Sequence, residues 1–375
     1  MASTAFTIRI PSRALIRLRG TDAHELLQGL FTNDLRELRP GGSLWGCFLF
    51  FTGRVMCDAY LYQSKKVYKG QSAILVDIHR SCLEHLMEHL FEMKMRKKVQ
   101  IDDVSNELAV LASYEPSNAQ PVDLDTVRQS EETSHLSDRN DADQSDGNRV
   151  GSGKDSSTLL EAHAEHFEDP RNFALSYSRA CGEGPLETHT SSAPLLTKTI
   201  MSRSWAPSTT LCEDVYQQLL LSNGIGEGPE VFKYNKTLPF ESNVDFLKGV
   251  SFHKGCYVGQ ELTHRTHVML VTRKRNVPLV FPTVKSLANP SSLSLTGEIS
   301  PSIAIGEGLY VSGKEKVGEI TTISGCYGLG LIRMKYVDKE TKTIPGLSLR
   351  DGTPVEMFIP SWWPRKEVNK MLKGN

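Results

Sequence analysis

Long apolar runs are missing from this 375-residue chain. The longest, such as Leu44 to Phe51 and Leu219 to Leu221, fall far short of the roughly 20 residues that cross a bilayer as a helix, so no membrane span is expected. Excess charge is missing too. Lys and Arg number 43 against 44 Asp and Glu, a formal net charge of −1, which supplies no bulk attraction to nucleic acid or anionic lipid. The seven cysteines, Cys47, Cys57, Cys82, Cys181, Cys212, Cys256 and Cys326, contain no C-x-x-C pair and no tight cluster. That spacing argues against a disulfide scaffold and against a self-contained zinc module, and it fits a reducing compartment. No internal repeat is evident.

What is present describes a soluble globular protein. Hydrophobic residues make up 39% of the chain, and its length exceeds one ordinary core, so two or three packed units are expected. The first twenty residues hold Arg9, Arg13, Arg17 and Arg19 and no acid, the composition of a mitochondrial presequence. Ala14 to Gly20 also reads as a strand ending in a turn, which would start the folded domain almost at once.

Thr21 or Asp22, with Glu25 nearby, predicts the start of a short helix that Thr32-Asn33-Asp34 closes. Gly46 to Phe51 and Arg54 to Tyr62 predict two strands around a tight turn at Gly53. Ala73 to Ile78 predicts another strand, and a strand is expected near Val99 to Ile101. Between them Leu83, Leu86, Met87, Leu90 and Phe91 recur at helical spacing. Pro116 to about Ser157 is rich in Ser, Asp, Gln and Gly and nearly free of aromatics, so it is expected to be a disordered acidic insertion. A second polar stretch, Cys181 to Ser192, is expected to be a loop. Leu211 to Leu221 predicts a helix stopped by Asn223-Gly224. Beyond Arg275, short apolar runs separated by Pro, Gly and Ser (Val277–Phe281, Gly308–Val311, Lys316–Thr322, Gly328–Met334, Pro354–Ile359) suit a small β-barrel.

The segment SFHKGCYVGQELTHRTH, Ser251 to His267, concentrates the chemistry. Gly255 and Gly259 bracket Cys256 and permit a bent, exposed loop. With Lys254 beside it and a helix starting at Gln260, Cys256 would be a better nucleophile or metal ligand than the other six cysteines. A nucleophile paired with His253, His264 or His267 lacks an assignable orienting carboxylate. As a metal site the segment is incomplete, because His264 and His267 are three apart and Cys256 lies eight residues earlier. One thiolate completed by a partner's thiolates suits an iron–sulfur cluster, which usually takes four. A small buried cysteine is the bland alternative. Arg265 with Arg273, Lys274 and Arg275 makes a basic strip, a solvated face or, more sharply, a site for a polyglutamyl or phosphate-bearing ligand.

These residues resemble the folate-binding YgfZ family, relatives of the glycine-cleavage T-protein, and most of all its mitochondrial iron–sulfur cluster assembly branch, the CAF17-like proteins. The signature K-G-C-Y-x-G-Q-E-x-x-x-R stands here as Lys254, Gly255, Cys256, Tyr257, Gly259, Gln260, Glu261 and Arg265. The likeness extends through Leu238-Pro-Phe-Glu-Ser-Asn243, Gly249 to Phe252, Arg273 to Arg275, Gly29 to Asp34, Gly53 to Asp58, Asp169-Pro-Arg171 and Pro360 to Pro364. It covers nearly everything except about 116 to 160. Two positions depart from the family pattern: Leu220 stands where an arginine is usual, and His264 where a small residue is.

The resemblance implies an α+β fold, a T-protein (aminomethyltransferase)-like body around a central folate-sized cavity with a C-terminal β-barrel. The body would take 1–115 and 160–270, the insertion 116–160 and the barrel 271–375. Tetrahydrofolate would bind with Glu241 holding the pterin and with Asn33, Asp34, Asp58, Tyr257, Gln260, Glu261 and Arg265 contributing to the site. Glu241 also reads as a helix cap or an arginine partner. Cys256, supported by Lys254, would donate one thiolate to a transient iron–sulfur cluster shared with an A-type carrier protein in the mitochondrial matrix, the chain itself being a monomer. Two other classes remain open: a folate-dependent aminomethyl- or methyltransferase, and a scaffold with a vestigial folate pocket.

Overall fold

The computed structural model describes residues 6–68, 70–115, 164–175, 196–207, 210–269, 272–281 and 303–373. The insertion expected over 116–160 and the loop expected at Cys181 to Ser192 lie outside them. Three antiparallel sheets organise the rest.

The five-stranded sheet runs in the order β3 (Ser43–Leu49), β4 (Val55–Tyr68), β5 (Gln71–His79), β2 (Arg13–Arg19), β6 (Gln100–Asp103). Its strands lack the polar alternation of a sheet with one wet face, because both faces are covered. Ala14, Ile16, Leu18, Cys57, Ala59, Leu61, Ile74, Val76 and Ile78 pack with residues of α1 (Ala23–Leu30) and α2 (Leu83–Lys94). Leu15, Trp45, Cys47, Tyr60, Tyr62 and Leu75 belong to a second core shared with the other two sheets.

Arg13, Arg17 and Arg19 lie in β2, and Arg9 ends β1 (Phe6–Arg9). Arg13 is paired to Asp77 and Arg19 to Asp102, both at 2.7 Å, so the strand reading describes residues 13–19. Helix α1 starts after Asp22 as expected, but the Asp22 carboxylate does not cap it; it accepts the Lys98 N–H at 2.7 Å instead. In α2, Leu86 and Leu90 are buried whereas Phe91 is 51% exposed, so the apolar stripe is narrower than the spacing predicts.

A four-stranded sheet in the order β1, β7 (Leu108–Tyr114), β9 (Leu196–Ser202), β8 (Ala164–Glu168) has no counterpart among the sequence expectations. Its strands β8 and β9, AEHFE and LTKTIMS, mix charged and apolar residues and do not advertise themselves. A single helical turn, α3 (Asn172–Leu175), follows β8, and α4 (Glu213–Ser222) ends at Asn223-Gly224, with Gly224 at φ +74°.

After α5 (Gln260–Met269), the six-stranded sheet runs in the order β14 (Leu347–Ser348), β11 (Gly308–Val311), β12 (Glu315–Ser324), β13 (Tyr327–Arg333), β10 (Lys274–Val280), β15 (Glu356–Met357). A bridge between Ser348 and Pro354, with the Val355 N–H donating to the Leu347 carbonyl at 3.0 Å, brings its two edges together into a nearly closed barrel. The tail continues into α6 (Arg365–Lys373), which the sequence reading did not anticipate.

Barrel and body are joined by specific polar contacts. Arg275, read above as part of an exposed basic strip, is buried: its guanidinium grips Asp245 at 2.8 and 2.7 Å and lies 3.7 Å over the Phe246 ring. Asn243, at φ +60°, donates to the Asn276 carbonyl at 2.7 Å. The Trp362 indole donates to the Asn223 carbonyl at 2.8 Å, and Trp363 meets Phe246 edge-on.

Candidate functional site

Cys256 is an exposed free thiol on the loop leading into α5. Two devices hold that loop. The first is Lys254, whose ammonium donates to the carbonyls of Gln28 (2.7 Å), Phe31 (2.7 Å) and Asn33 (2.9 Å). A helix leaves its last carbonyls unpaired, and a cation there meets both the hydrogen-bond demand and the dipole. Lys254 is therefore a clamp on the end of α1, with its three N–H groups spent on carbonyls. Burial brings its ammonium down to about 8, with nearby Asp34 opposing the shift.

The second device is glycine packing. Gly259 has φ +79°, and a Cβ there would lie 2.4 Å from the Phe50 carbonyl oxygen and 3.2 Å from Gly53 Cα. Gly53, at φ +76°, would meet Leu262 of α5 at 2.5 Å in the same way. The β3–β4 turn and the cysteine loop thus approach as bare backbone. Gly255, by contrast, has no atom near its missing Cβ and no positive φ; it keeps the thiol side of the loop open.

Within the loop, the Gln260 side chain accepts the Tyr257 N–H at 3.2 Å, and the buried Tyr257 hydroxyl meets Thr263 Oγ1 at 2.9 Å. Glu261, His264 and Arg265 project from the exposed side of α5. His267 stacks on Phe252 with ring centroids 3.6 Å apart. Among the described residues, no group of three His, Cys, Asp or Glu side chains comes together to hold a metal.

Beside the loop, a cleft of about 270 Å³ runs between Leu238–Glu241, the Leu262, Thr263 and Thr266 side of α5, and Thr272–Lys274. Glu241 is its carboxylate. Burial raises the Glu241 pKa, and Lys274 partly offsets the shift. Arg273 and Lys274, exposed at the start of the barrel, give the cleft a cationic edge. Asn33, Asp34 and Asp58, grouped with Glu241 above, do not line this cleft, and each has a different occupation. The Asn33 amide donates to the carbonyls of Trp45 (3.0 Å) and Lys248 (2.9 Å). Asp34 is held by the Arg36 guanidinium, which keeps it well below the usual carboxylate range.

Asp58 faces the interior, where the sequence reading missed a network of charges. Glu227 accepts from Arg13 (2.8 Å), Arg171 (3.1 Å) and the Tyr216 hydroxyl (2.7 Å). Asp169 pairs with Arg171 at 3.1 Å and accepts from Tyr60 at 3.0 Å, and Tyr62 donates to Asp77 at 2.9 Å. Lys198, fully buried, donates to Tyr216. Burial pushes Glu227 up, but Lys198, Arg13 and Arg171 together hold it well below its ordinary value. Asp58 accepts through Oδ1 from the Gly228 N–H at 3.1 Å; its Oδ2 is buried without a partner among the described residues, as are Arg171 Nη1 and Trp45 Nε1. Burial raises Asp58 to about 6. A second cleft, about 150 Å³, reaches Arg13, Tyr216 and Glu227 from outside and is lined also by Glu213, Glu230 and His79. The departing Leu220 is a wall of this cleft and part of the core, so no arginine is offered there.

These observations bear comparison with known proteins. Residues 273–365 match the family model described as "CAF17, C-terminal beta-barrel domain". The chain is 30% identical to the mouse protein named "Iron-sulfur cluster assembly factor IBA57, mitochondrial", across 95% of this chain and 85% of that one. It is 28% identical to the human protein of that name, at 95% and 85% coverage, and 26% identical to a Mycosarcoma maydis homologue, at 98% and 87%. Among solved structures, the glycine cleavage system aminomethyltransferase T of Bartonella henselae superposes with a TM-score of 0.53 over 96% of this chain and 87% of that one, at 12% identity, a likeness of fold.

Proposed function

Because the chain belongs to the IBA57 family of mitochondrial iron–sulfur cluster assembly factors, we propose that it acts in the mitochondrial matrix to promote [4Fe–4S] cluster formation or delivery, with Cys256 as its thiolate contribution to a cluster shared with an A-type carrier. The observation that supports this most is the Cys256 loop. Its thiol is exposed, its backbone is clamped by Lys254 and Gly259, and among the described residues no ready-made metal group surrounds it. A cluster usually needs four soft ligands, so an accessible single cysteine is suited to sharing and unsuited to permanent storage. Clamping lowers the ordering cost when a partner supplies the remaining ligands.

Reduced folate is assigned to the Glu241 cleft. Its residues fit one end of such a ligand: a carboxylate can accept two N–H donors from a pterin edge, threonines and Leu262 flank it, and Arg273 and Lys274 stand where an anionic tail would leave. The volume lies just below the roughly 300 Å³ at which ligand pockets begin, which is room for the ring with the tail outside. Bound folate would supply one-carbon or reducing chemistry; Glu241 would orient it against α5, the helix that carries the Cys256 loop.

The runner-up is a folate-dependent aminomethyl- or methyltransferase, favoured by the aminomethyltransferase-like fold and by Asp58, a buried carboxyl poised near 6. The deciding experiment mixes the protein anaerobically with an A-type carrier, iron and sulfide, with and without tetrahydrofolate. Co-purifying iron and sulfide with a visible absorption band are expected for the native protein and lost for Cys256→Ser with the fold intact. An unchanged spectrum in that variant removes Cys256 as a ligand. One-carbon transfer at a rate set by Asp58 establishes the transferase instead.

A further inference from the structure

We propose that Cys57 and Cys82 form a peroxide-sensitive dithiol, a modification site separate from Cys256 that closes reversibly to a disulfide. The topology brings them together. The antiparallel register that pairs Ala59 of β4 with Ile78 of β5, continued by two residues, sets Cys57 opposite Arg80. There the chain leaves the sheet in a 3-10 turn, Arg80–Cys82, which delivers Cys82 to the N-cap of α2. Both cysteines are in their free form and share one apolar cluster, at 1% and 8% exposure.

The two thiols are not equivalent. Their mutual interaction, together with burial, raises Cys57, and the same interaction lowers Cys82. The Ser81 hydroxyl lies 3.9 Å from the Cys82 sulfur, and the position at the N-cap of the twelve-residue α2 also favours negative charge through the helix dipole. Cys82, the less buried partner and the one favoured as thiolate, is the attacking sulfur; Cys57 is positioned to resolve it.

The chemistry balances with hydrogen peroxide as oxidant. The Cys82 thiolate attacks one peroxide oxygen; an S–O bond forms, the O–O bond breaks, and hydroxide leaves and takes up a proton as water. The Cys57 sulfur then attacks Cys82; the S–S bond forms, the S–O bond breaks, and a second water departs with the Cys57 proton. Two thiols are oxidised by two electrons and one peroxide is reduced to two waters. The product ties the middle of the five-stranded sheet to the start of α2.

The test treats the reduced full-length protein with a small excess of hydrogen peroxide, alkylates the remaining thiols after unfolding, and maps the digest by mass spectrometry. A Cys57–Cys82 cross-linked peptide, 2 hydrogen masses below the sum of its parts and abolished by dithiothreitol, is expected in the native protein and equally in Cys256→Ser. In Cys57→Ala, Cys82 is expected to be trapped by dimedone as its sulfenic acid. Full alkylation of both cysteines under conditions that oxidise Cys256 overturns the proposal, and so does a Cys82 disulfide to any other cysteine. The mapping on the unsubstituted protein stands whether or not the alanine variant folds.

Discussion

Asp58 carries a carboxylate oxygen that no donor among the described residues reaches, in a cluster where Asp77, Asp169 and Glu227 are matched by Arg13, Arg171 and Lys198. Its folded value of about 6 lies above the roughly 3.9 of an unfolded aspartate. Between those values the native state binds more protons than the unfolded one, so stability falls as pH rises through the window. Asp58→Asn keeps the acceptor for Gly228 and removes the charge. Denaturant titrations should show it more stable at pH 7 by about 1–3 kcal/mol, with a flatter profile between pH 4 and 6; a less stable protein with the original slope would contradict the assignment. Glu241 permits a parallel test of the cleft. Glu241→Gln should weaken tetrahydrofolate binding by about tenfold or more, the worth of exchanging a charge-assisted pair for a neutral one, measured by calorimetry. An unaltered Kd removes Glu241 from the site.

At the scale of elements, the contact between the β3–β4 turn and the cysteine loop depends on two residues without side chains. Gly259→Ala places a methyl against the Phe50 carbonyl in a backbone conformation that disfavours it. A loss of about 1–3 kcal/mol in thermal unfolding is expected, together with reduced cluster transfer, since α5 must shift to relieve the clash; full transfer activity would show that the loop tolerates displacement. This contact was partly legible in the sequence, because Gly53 sits at a strand turn and Gly259 in a motif, yet nothing in their spacing says that they touch. Elements with regular apolar patterns, such as β2, β5, α2 and the barrel strands, can be read locally. The interior network cannot: Arg13, Tyr60, Asp77, Asp169, Lys198 and Glu227 come from six separate elements or turns, and only the folded topology gives a buried arginine or lysine its partner. The same holds for Lys254, which stands two residues before Cys256 but whose partners lie at the end of α1, and for Arg275, where nearness to Arg273 and Lys274 suggests a surface strip.

Across the whole molecule, the barrel is fixed to the body through Arg275 and the tail tryptophans. Removing one member of a buried ion pair strands the other and costs about 3–5 kcal/mol, so Arg275→Ala should destabilise strongly by exposing Asp245 to an apolar surrounding. Arg275→Lys keeps the charge but not the two-pronged grip and should fall between the two. Differential scanning calorimetry is expected to resolve the single transition of the native protein into two in Arg275→Ala, the barrel and body melting apart; one unsplit transition would mean that the remaining contacts suffice to couple them.

The indole of Trp362 reaches a carbonyl 139 residues earlier in the chain. A polypeptide emerging N-terminus first therefore makes this clasp only after the body and the barrel strands have been synthesised. Until then the exit of α4 and the seat of Phe246 lack their tryptophan cover, which gives chaperones a late and recognisable waypoint, and a ribosome that stops short of position 362 releases molecules whose lobes are held by Arg275 and Asn243 without the indole clasp.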